Sequence, residues 1–138
     1  MREQSAWEAE VYDMDDQHQL VLIVDDDPAI RDALQFSLRL EGLCVRIHTG
    51  VAALLADPDL ARAGCLILGD RMQYMDGFAV LNNLKARDIN LPAIMLTSHA
   101  TARIRARADA SGVRKLLEKP LLHDSLADNI RSILSTNR

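Results

Sequence analysis

The sequence has few cysteines, no long apolar run and no excess of basic residues, which argues against disulfide-rich, membrane-spanning and strongly basic proteins. Its 138 residues include two cysteines, one tryptophan and two phenylalanines, and the net charge is -4. No apolar run approaches the roughly 18 residues of a membrane span, and the acidic N-terminus lacks the basic and apolar regions of a signal peptide. The charge argues against nucleic-acid binding. We expect one cytoplasmic globular domain, with Cys44 and Cys65 as small core residues.

The order of apolar segments predicts an α/β fold. Residues 1–19 are polar and acidic and are predicted to form an arm, so the domain is expected to cover 20–138. Short apolar runs that predict strands then alternate with segments of helical periodicity. The predicted strands are Leu20–Val24, Leu43–Ile47, Cys65–Leu68, Ala93–Leu96 and Val113–Leu117, and the last predicted helix begins near Leu122. Because such strands need cover on both faces, we expect a parallel sheet between two layers of helices.

The predicted strand ends carry polar residues that suit a phosphoryl group. They are Asp25 and Asp26, His48 and Thr49, Gly69 and Asp70, Thr97 and Ser98, and Lys119. Adjacent carboxylates repel one another unless a cation compensates, and Mg²⁺ prefers oxygen ligands. Lysine and hydroxyl groups can bind phosphate oxygens. Since ligands of open α/β sheets bind at the carboxyl ends of the strands, the pattern predicts a phosphoryl site there.

Several of these residues also have purely structural interpretations. Asp27 before Pro28 is typical of a helix N-cap, and Thr97 or Ser98 could cap the helix that follows. The basic region is either a solvated face or a partner-binding surface. Its members are Arg103, Arg105, Arg107, Arg114 and Lys115.

Four motifs give the sequence a family resemblance. They are Leu22-Ile23-Val24-Asp25-Asp26-Asp27-Pro28, Met75-Asp76-Gly77, Thr97-Ser98 and Lys119-Pro120. With them, residues 20–135 resemble the receiver domain of bacterial two-component response regulators. The resemblance implies a doubly wound, CheY-like sheet with strand order 2-1-3-4-5 and a cis bond before Pro120. It also implies a Mg²⁺ site and an aspartate, at the end of the third strand, that accepts a phosphoryl group from a histidine kinase.

The phosphoacceptor is the position where this sequence departs most from the family. The usual spacing puts the aspartate eight residues before the loop glycine, and counting back from Gly77 leads to Gly69. Glycine cannot form an acyl phosphate, so the resemblance leaves Asp25, Asp26 and the backbone carbonyl of Arg71 as a weakened Mg²⁺ site. Asp70 is the alternative acceptor. Neighbouring strand residues point to opposite faces, but a flexible Gly69 could turn Asp70 inward.

Two further departures concern the switch that phosphorylation operates in the family. The usual loop proline is Gln73, and the usual aromatic residue of the fifth strand is Leu116. The resemblance therefore implies a stand-alone pseudo-receiver, not an enzyme, that acts by protein contact. Its expected partners are a sensor histidine kinase, another response regulator or a second copy of itself. Neither nucleic acid nor membrane is expected to bind this domain.

Three other functions would account for part of the sequence. The first is a receiver that is phosphorylated on Asp70. The second is a haloacid-dehalogenase-like phosphatase that uses Asp25 of an Asp-x-Asp motif as nucleophile. It lacks the later acidic pair at a strand end, because Asp124 and Asp128 fall in a predicted helix. The third, a nucleotide-binding module, has neither a G-x-G-x-x-G motif nor a P-loop.

Overall fold

The computed structural model describes residues 19–72, 76–121 and 125–136, and within them each strand is followed by a helix. The strands are Val21–Val24 (β1), Val45–His48 (β2), Cys65–Gly69 (β3), Ala93–Thr97 (β4) and Lys115–Glu118 (β5). The helices are Pro28–Leu40 (α1), Val51–Leu55 (α2), Gly77–Ala86 (α3), Ala102–Ala110 (α4) and Ser125–Thr136 (α5).

The strands form one parallel sheet in the order β2-β1-β3-β4-β5. This order confirms the predicted doubly wound fold. Val24 lies beside both His48 and Leu68, and Thr97 lies beside Glu118. Because the strands are in register, the residues that follow them gather at one edge of the sheet.

Alternate strand residues supply two cores, one on each face of the sheet. On one face, Leu22 and Leu68 pack with α2, α3 and α4. On the other face, Ile23 and Ile67 pack with α1 and α5. Each fully buried leucine or isoleucine stabilises the fold by about 1.5–3 kcal/mol. The apolar pattern of the strands is therefore satisfied on both sides, as predicted.

Side chains that precede α1 and α4 cap the N-termini of these helices. Asp27 caps α1 by accepting a hydrogen bond from the Ala29 N–H at 3.0 Å, which confirms the predicted N-cap. The prediction that Thr97 or Ser98 caps the fourth helix is wrong. Thr101 caps α4 instead, accepting from the Ile104 N–H at 3.1 Å. The reason is that residues 98–100 form a loop between β4 and the helix, so the cap lies further along the chain.

The two cysteines lie in different environments. Cys65 is fully buried in β3, as predicted, and burial raises the pKa of its thiol to about 12. The prediction of a core position for Cys44 is wrong, because this residue is exposed. The apolar run that begins at Leu43 includes a connection, and the edge strand β2 begins only at Val45.

Three predictions fall wholly or largely outside the described residues. They are the arm over 1–19, of which only Gln19 is described, the substituted loop position Gln73, and the helical start at Leu122. Across the described ranges, none of the helices combines the length and apolarity that a bilayer crossing requires.

A buried carboxylate, Asp57, joins β2 to the connection that leads into β3. Arg46 Nη1 lies 2.7 and 2.9 Å from the two carboxylate oxygens, and His48 Nε2 lies 2.7 Å from Oδ2. The Asp59 N–H also donates to Asp57 at 2.8 Å. Burial alone would raise the pKa of Asp57, but the Asp59 N–H, Arg46 and His48 outweigh it and hold the pKa below 3.8.

Asp57→Asn is expected to lower the free energy of unfolding by about 1–3 kcal/mol at pH 7, because Arg46 and His48 lose a charged acceptor. A lowered folded-state pKa gives stability that is complete above pH 3.8 and lost as the pH falls through the folded value. Urea unfolding of both proteins between pH 3 and 7 should therefore show a difference that shrinks at the acid end. Asp32→Asn, at an exposed position, is the matched control. A difference that persisted at low pH would contradict this account.

Candidate functional site

Asp25 is the buried centre of the polar edge. It follows β1 and is fully buried, and its Oδ1 accepts from the Asp27 N–H at 3.0 Å. Lys119 follows β5 and brings Nζ to 3.1 Å from Asp25 Oδ2, close enough for charge attraction but not aligned as a hydrogen bond. The Lys119–Pro120 bond is cis, as predicted. Two residues from opposite ends of the domain sequence thus form one ion pair.

Gly69 faces this ion pair. A Cβ built on Gly69 would lie 2.9 Å from Asp25 Oδ2 and 3.6 Å from the backbone carbonyl oxygen of Arg71. Any side chain at position 69 would therefore point toward the Asp25 carboxylate. This is the direction that a phosphoacceptor would need, and the chain has no side chain there.

Asp70 instead contacts the hydroxyl of Thr97. Thr97 Oγ1 donates to Asp70 Oδ2 at 2.9 Å, and the Asp70 N–H donates to the Leu96 carbonyl at 2.9 Å. Thr97 is buried and Asp70 is half-buried. Asp70 continues the side of β3 that carries Leu66 and Leu68, whereas Gly69 continues the side that carries Ile67.

The groups around Gly69 fit a Mg²⁺ ion only in part. Asp25 Oδ2 is a buried acceptor with no aligned donor, and the Arg71 carbonyl points to the same place. Asp26 is exposed beside them and could add a carboxylate. Within the described residues, no group of three or more histidine, cysteine, aspartate or glutamate side chains could hold a metal. A carboxylate at position 69 would point to the same place, and glycine supplies none.

An open cavity of about 810 Å³ lies over these groups. Its lining includes the acidic residues Asp26 and Asp70 and the basic residues Arg71, Arg103 and Arg107. The Arg107 guanidinium lies 4.1 Å from the centre of the Phe78 ring, a cation–π contact that holds α4 against α3. Phe78 could not be predicted as a site residue, because its helical spacing indicates a core position.

The structure brings most of the predicted site residues together, in two groups. Asp25, Gly69, the Arg71 carbonyl and Lys119 meet at one place. Asp70 and Thr97 pair beside them, and Ser98 and Asp26, both exposed, line the cavity. Leu116 is apart from them: it is half-buried and packs against the core on the α3 side of the sheet.

A doubly wound parallel sheet with an acidic pair, a hydroxyl and a lysine at the strand ends defines a class of signalling domain. The chain belongs to the response regulator receiver domain family, whose model matches residues 21–131. It is therefore a receiver domain of the two-component type. Such domains are generally non-enzymatic, typically bind Mg²⁺ at the phosphorylation site and interact with histidine kinases or other response regulators.

Two curated relatives and one solved structure support the assignment to this family. The chain is 34% identical over 118 residues to the C4-dicarboxylate transport transcriptional regulatory protein DctD of Pseudomonas aeruginosa, covering 86% of this chain and 26% of the relative. It is 36% identical over 100 residues to the transcriptional regulatory protein FixJ of Rhizobium meliloti, covering 72% and 49%. The crystal structure of FixJ-N superimposes with a TM-score of 0.75 at 31% identity, over 86% of this chain and 94% of that structure. The chain thus spans between about a quarter and a half of these two curated relatives.

Proposed function

We propose that this receiver domain signals by protein contact without accepting a phosphoryl group. The observation that carries the proposal is the direction of Gly69: the missing side chain would point at Asp25 and the Arg71 carbonyl. An acyl phosphate needs a carboxylate at that place, and glycine supplies none. The rest of the site is present, so the domain keeps the shape of a receiver while lacking its nucleophile.

In this proposal the domain is not an enzyme, and its affinity for Mg²⁺ is weak. Asp25 is fully buried, with one oxygen bound by a backbone N–H and the other beside Lys119, so it is poorly placed to attack a substrate. This disfavours the phosphatase alternative. When bound, Mg²⁺ would be held by Asp26, the Arg71 carbonyl and Asp25, and it would offset their negative charge.

Two exposed surfaces suit protein partners. On α1, Phe36 and Leu40 are 69% and 72% exposed, an apolar contact area on an otherwise polar face. On α4, Arg103 and Arg107 are exposed and line the cavity beside Asp70. A sensor histidine kinase, another response regulator or a second copy of the chain are the partners proposed for these surfaces. The two relatives described above are named as transcriptional regulators; we assign no nucleic-acid contact to this acidic domain.

The natural chain is expected to gain no mass when it is incubated with Mg²⁺ and acetyl phosphate, because position 69 offers no nucleophile. Intact-mass spectrometry measures this, and a receiver that carries the aspartate serves as the positive control. An adduct on the natural chain, absent from an Asp70→Asn variant, would overturn the proposal and make Asp70 the acceptor. An adduct that survives in Asp70→Asn would also overturn it and direct the search to other residues.

A further inference from the structure

We propose that Asp70 is a positioning residue that holds the Thr97 hydroxyl and fixes the loop from β4 to α4. This inference deepens the proposed function, and it rests on that function in treating the α4 surface as a place where a partner binds. In the family, the hydroxyl at position 97 is the switch residue. In this chain the hydroxyl already has a carboxylate partner, supplied by residue 70 rather than by a group on residue 69.

The hydrogen bonds run from Asp70 through Thr97 into the loop. Thr97 Oγ1 lies 2.9 Å from Asp70 Oδ2 and also accepts from the His99 N–H at 3.1 Å. The His99 carbonyl in turn accepts from the Thr101 N–H at 2.9 Å, and Thr101 caps α4. These bonds connect Asp70, which follows β3, to the N-cap of α4.

Other contacts bind the same loop to β5. The Lys119 N–H donates to the Thr97 carbonyl at 2.8 Å, and Glu118 Oε2 lies 3.4 Å from the Ala100 N–H. Thr97 is buried, so its hydroxyl depends on protein partners rather than on water. Asp70 is the charged acceptor of the Thr97 hydroxyl, and hydrogen bonds to a charged acceptor are the stronger kind.

The position of Asp70 separates this contact from residue 69. The Gly69 Cβ direction leads to Asp25, whereas Asp70 contacts Thr97 from the side of β3 that carries Leu66 and Leu68. The Thr97 hydroxyl therefore lies beside the Asp25–Lys119 ion pair and is not part of it. Because Arg103 and Arg107 of α4 line the same cavity as Asp70, the contact sets the arrangement of the surface that they form.

Backbone amide signals in NMR spectra of the full chain test this inference. Asp70→Leu removes the charged acceptor of the Thr97 hydroxyl and leaves it the His99 carbonyl, 3.3 Å away, whereas Thr97→Val removes the donor. Each change keeps a similar side-chain size. Asp70→Asn keeps an acceptor oxygen and Thr97→Ser keeps the hydroxyl. Asp26→Asn removes a charge that lines the same cavity but is not bonded to Thr97, and it serves as the matched control.

Asp70→Leu and Thr97→Val are expected to shift the same amide signals, at His99, Ala100 and Thr101, and to speed hydrogen exchange at His99 about tenfold. The double variant should add nothing to Thr97→Val, because loss of the hydroxyl removes both the contact with Asp70 and the acceptor of the His99 N–H. Asp70→Asn and Thr97→Ser should stay close to the natural spectrum. The inference is overturned if Asp70→Leu leaves the loop signals in place, or if Asp26→Asn moves them as far. The mass measurement on the natural chain decides the proposed function separately.

Discussion

A Gly69→Asp variant, incubated with Mg²⁺ and acetyl phosphate, is expected to gain the mass of one phosphoryl group where the natural chain gains none. The new side chain would leave Gly69 in the direction of Asp25 and the Arg71 carbonyl. Lys119 is already within 3.1 Å of Asp25, close enough to reach a phosphate oxygen after a small movement. One substitution would thus supply the nucleophile and the missing Mg²⁺ ligand together.

Two variants control this experiment. Gly69→Asn has the same shape but no nucleophile, and Gly50→Asp places a carboxylate where a Cβ meets nothing within 4 Å. Neither should gain mass. Because a carboxylate at position 69 would crowd Asp25, Gly69→Asp should also bind Mg²⁺ at least about tenfold more tightly than the natural chain, as measured by calorimetric titration. A Gly69→Asp protein that folds, binds Mg²⁺ and still takes no phosphoryl group would contradict the assigned role of position 69.

Gly77→Ala is expected to lower the free energy of unfolding by about 3 kcal/mol and the melting temperature by about 10 °C. A Cβ at Gly77 would overlap the backbone carbonyl of Gly69 and come within 2.9 Å of the Met95 methyl group. The Gly77 N–H also donates to the Asp70 carbonyl at 2.8 Å, so α3 cannot move away without losing that bond. The backbone of Gly69 cannot shift as easily as the end of a flexible side chain, so the overlap would not be relieved locally.

Thermal unfolding followed by circular dichroism measures this effect, with Gly50→Ala as the matched control. Gly50 precedes α2 with φ -162, and a Cβ there has open space, so this change should cost less than about 1 kcal/mol. Equal losses from the two variants would show that the close approach of α3 to β3 is not the cause.

Much of the fold could be predicted from the sequence because the three central strands are apolar on both faces and each strand precedes a segment of helical periodicity. The strand order came from the family resemblance, and the sheet confirms it. The predicted ends of the strands were less accurate. Cys44 extends an apolar run but lies in a connection, and hydropathy cannot distinguish the two when the strand that follows is at the edge of the sheet.

Site residues that directly follow a strand could be predicted from the sequence. Contacts between particular side chains could not. Asp25, Gly69 and Lys119 follow strands, and a parallel sheet brings such residues together. The bond from Thr97 to Asp70 joins residues on adjacent strands, and only the structure shows which side chains meet. The buried ion pairs of Asp57 could not be predicted either, since its partners His48 and Arg46 lie nine and eleven residues earlier in the chain.

The bond between Asp70 and Thr97 can also be considered as a bias between two populations of the loop. A partner shifts such an equilibrium only by the difference between its affinities for the two states. A hydrogen bond to a charged group contributes about 1.5–3 kcal/mol. A partner that needs Thr97 released would therefore bind about ten- to hundredfold more weakly than one that accepts the loop as it stands. Under the proposed function, the Asp70 carboxylate would therefore favour partners that bind the loop while Thr97 stays in place.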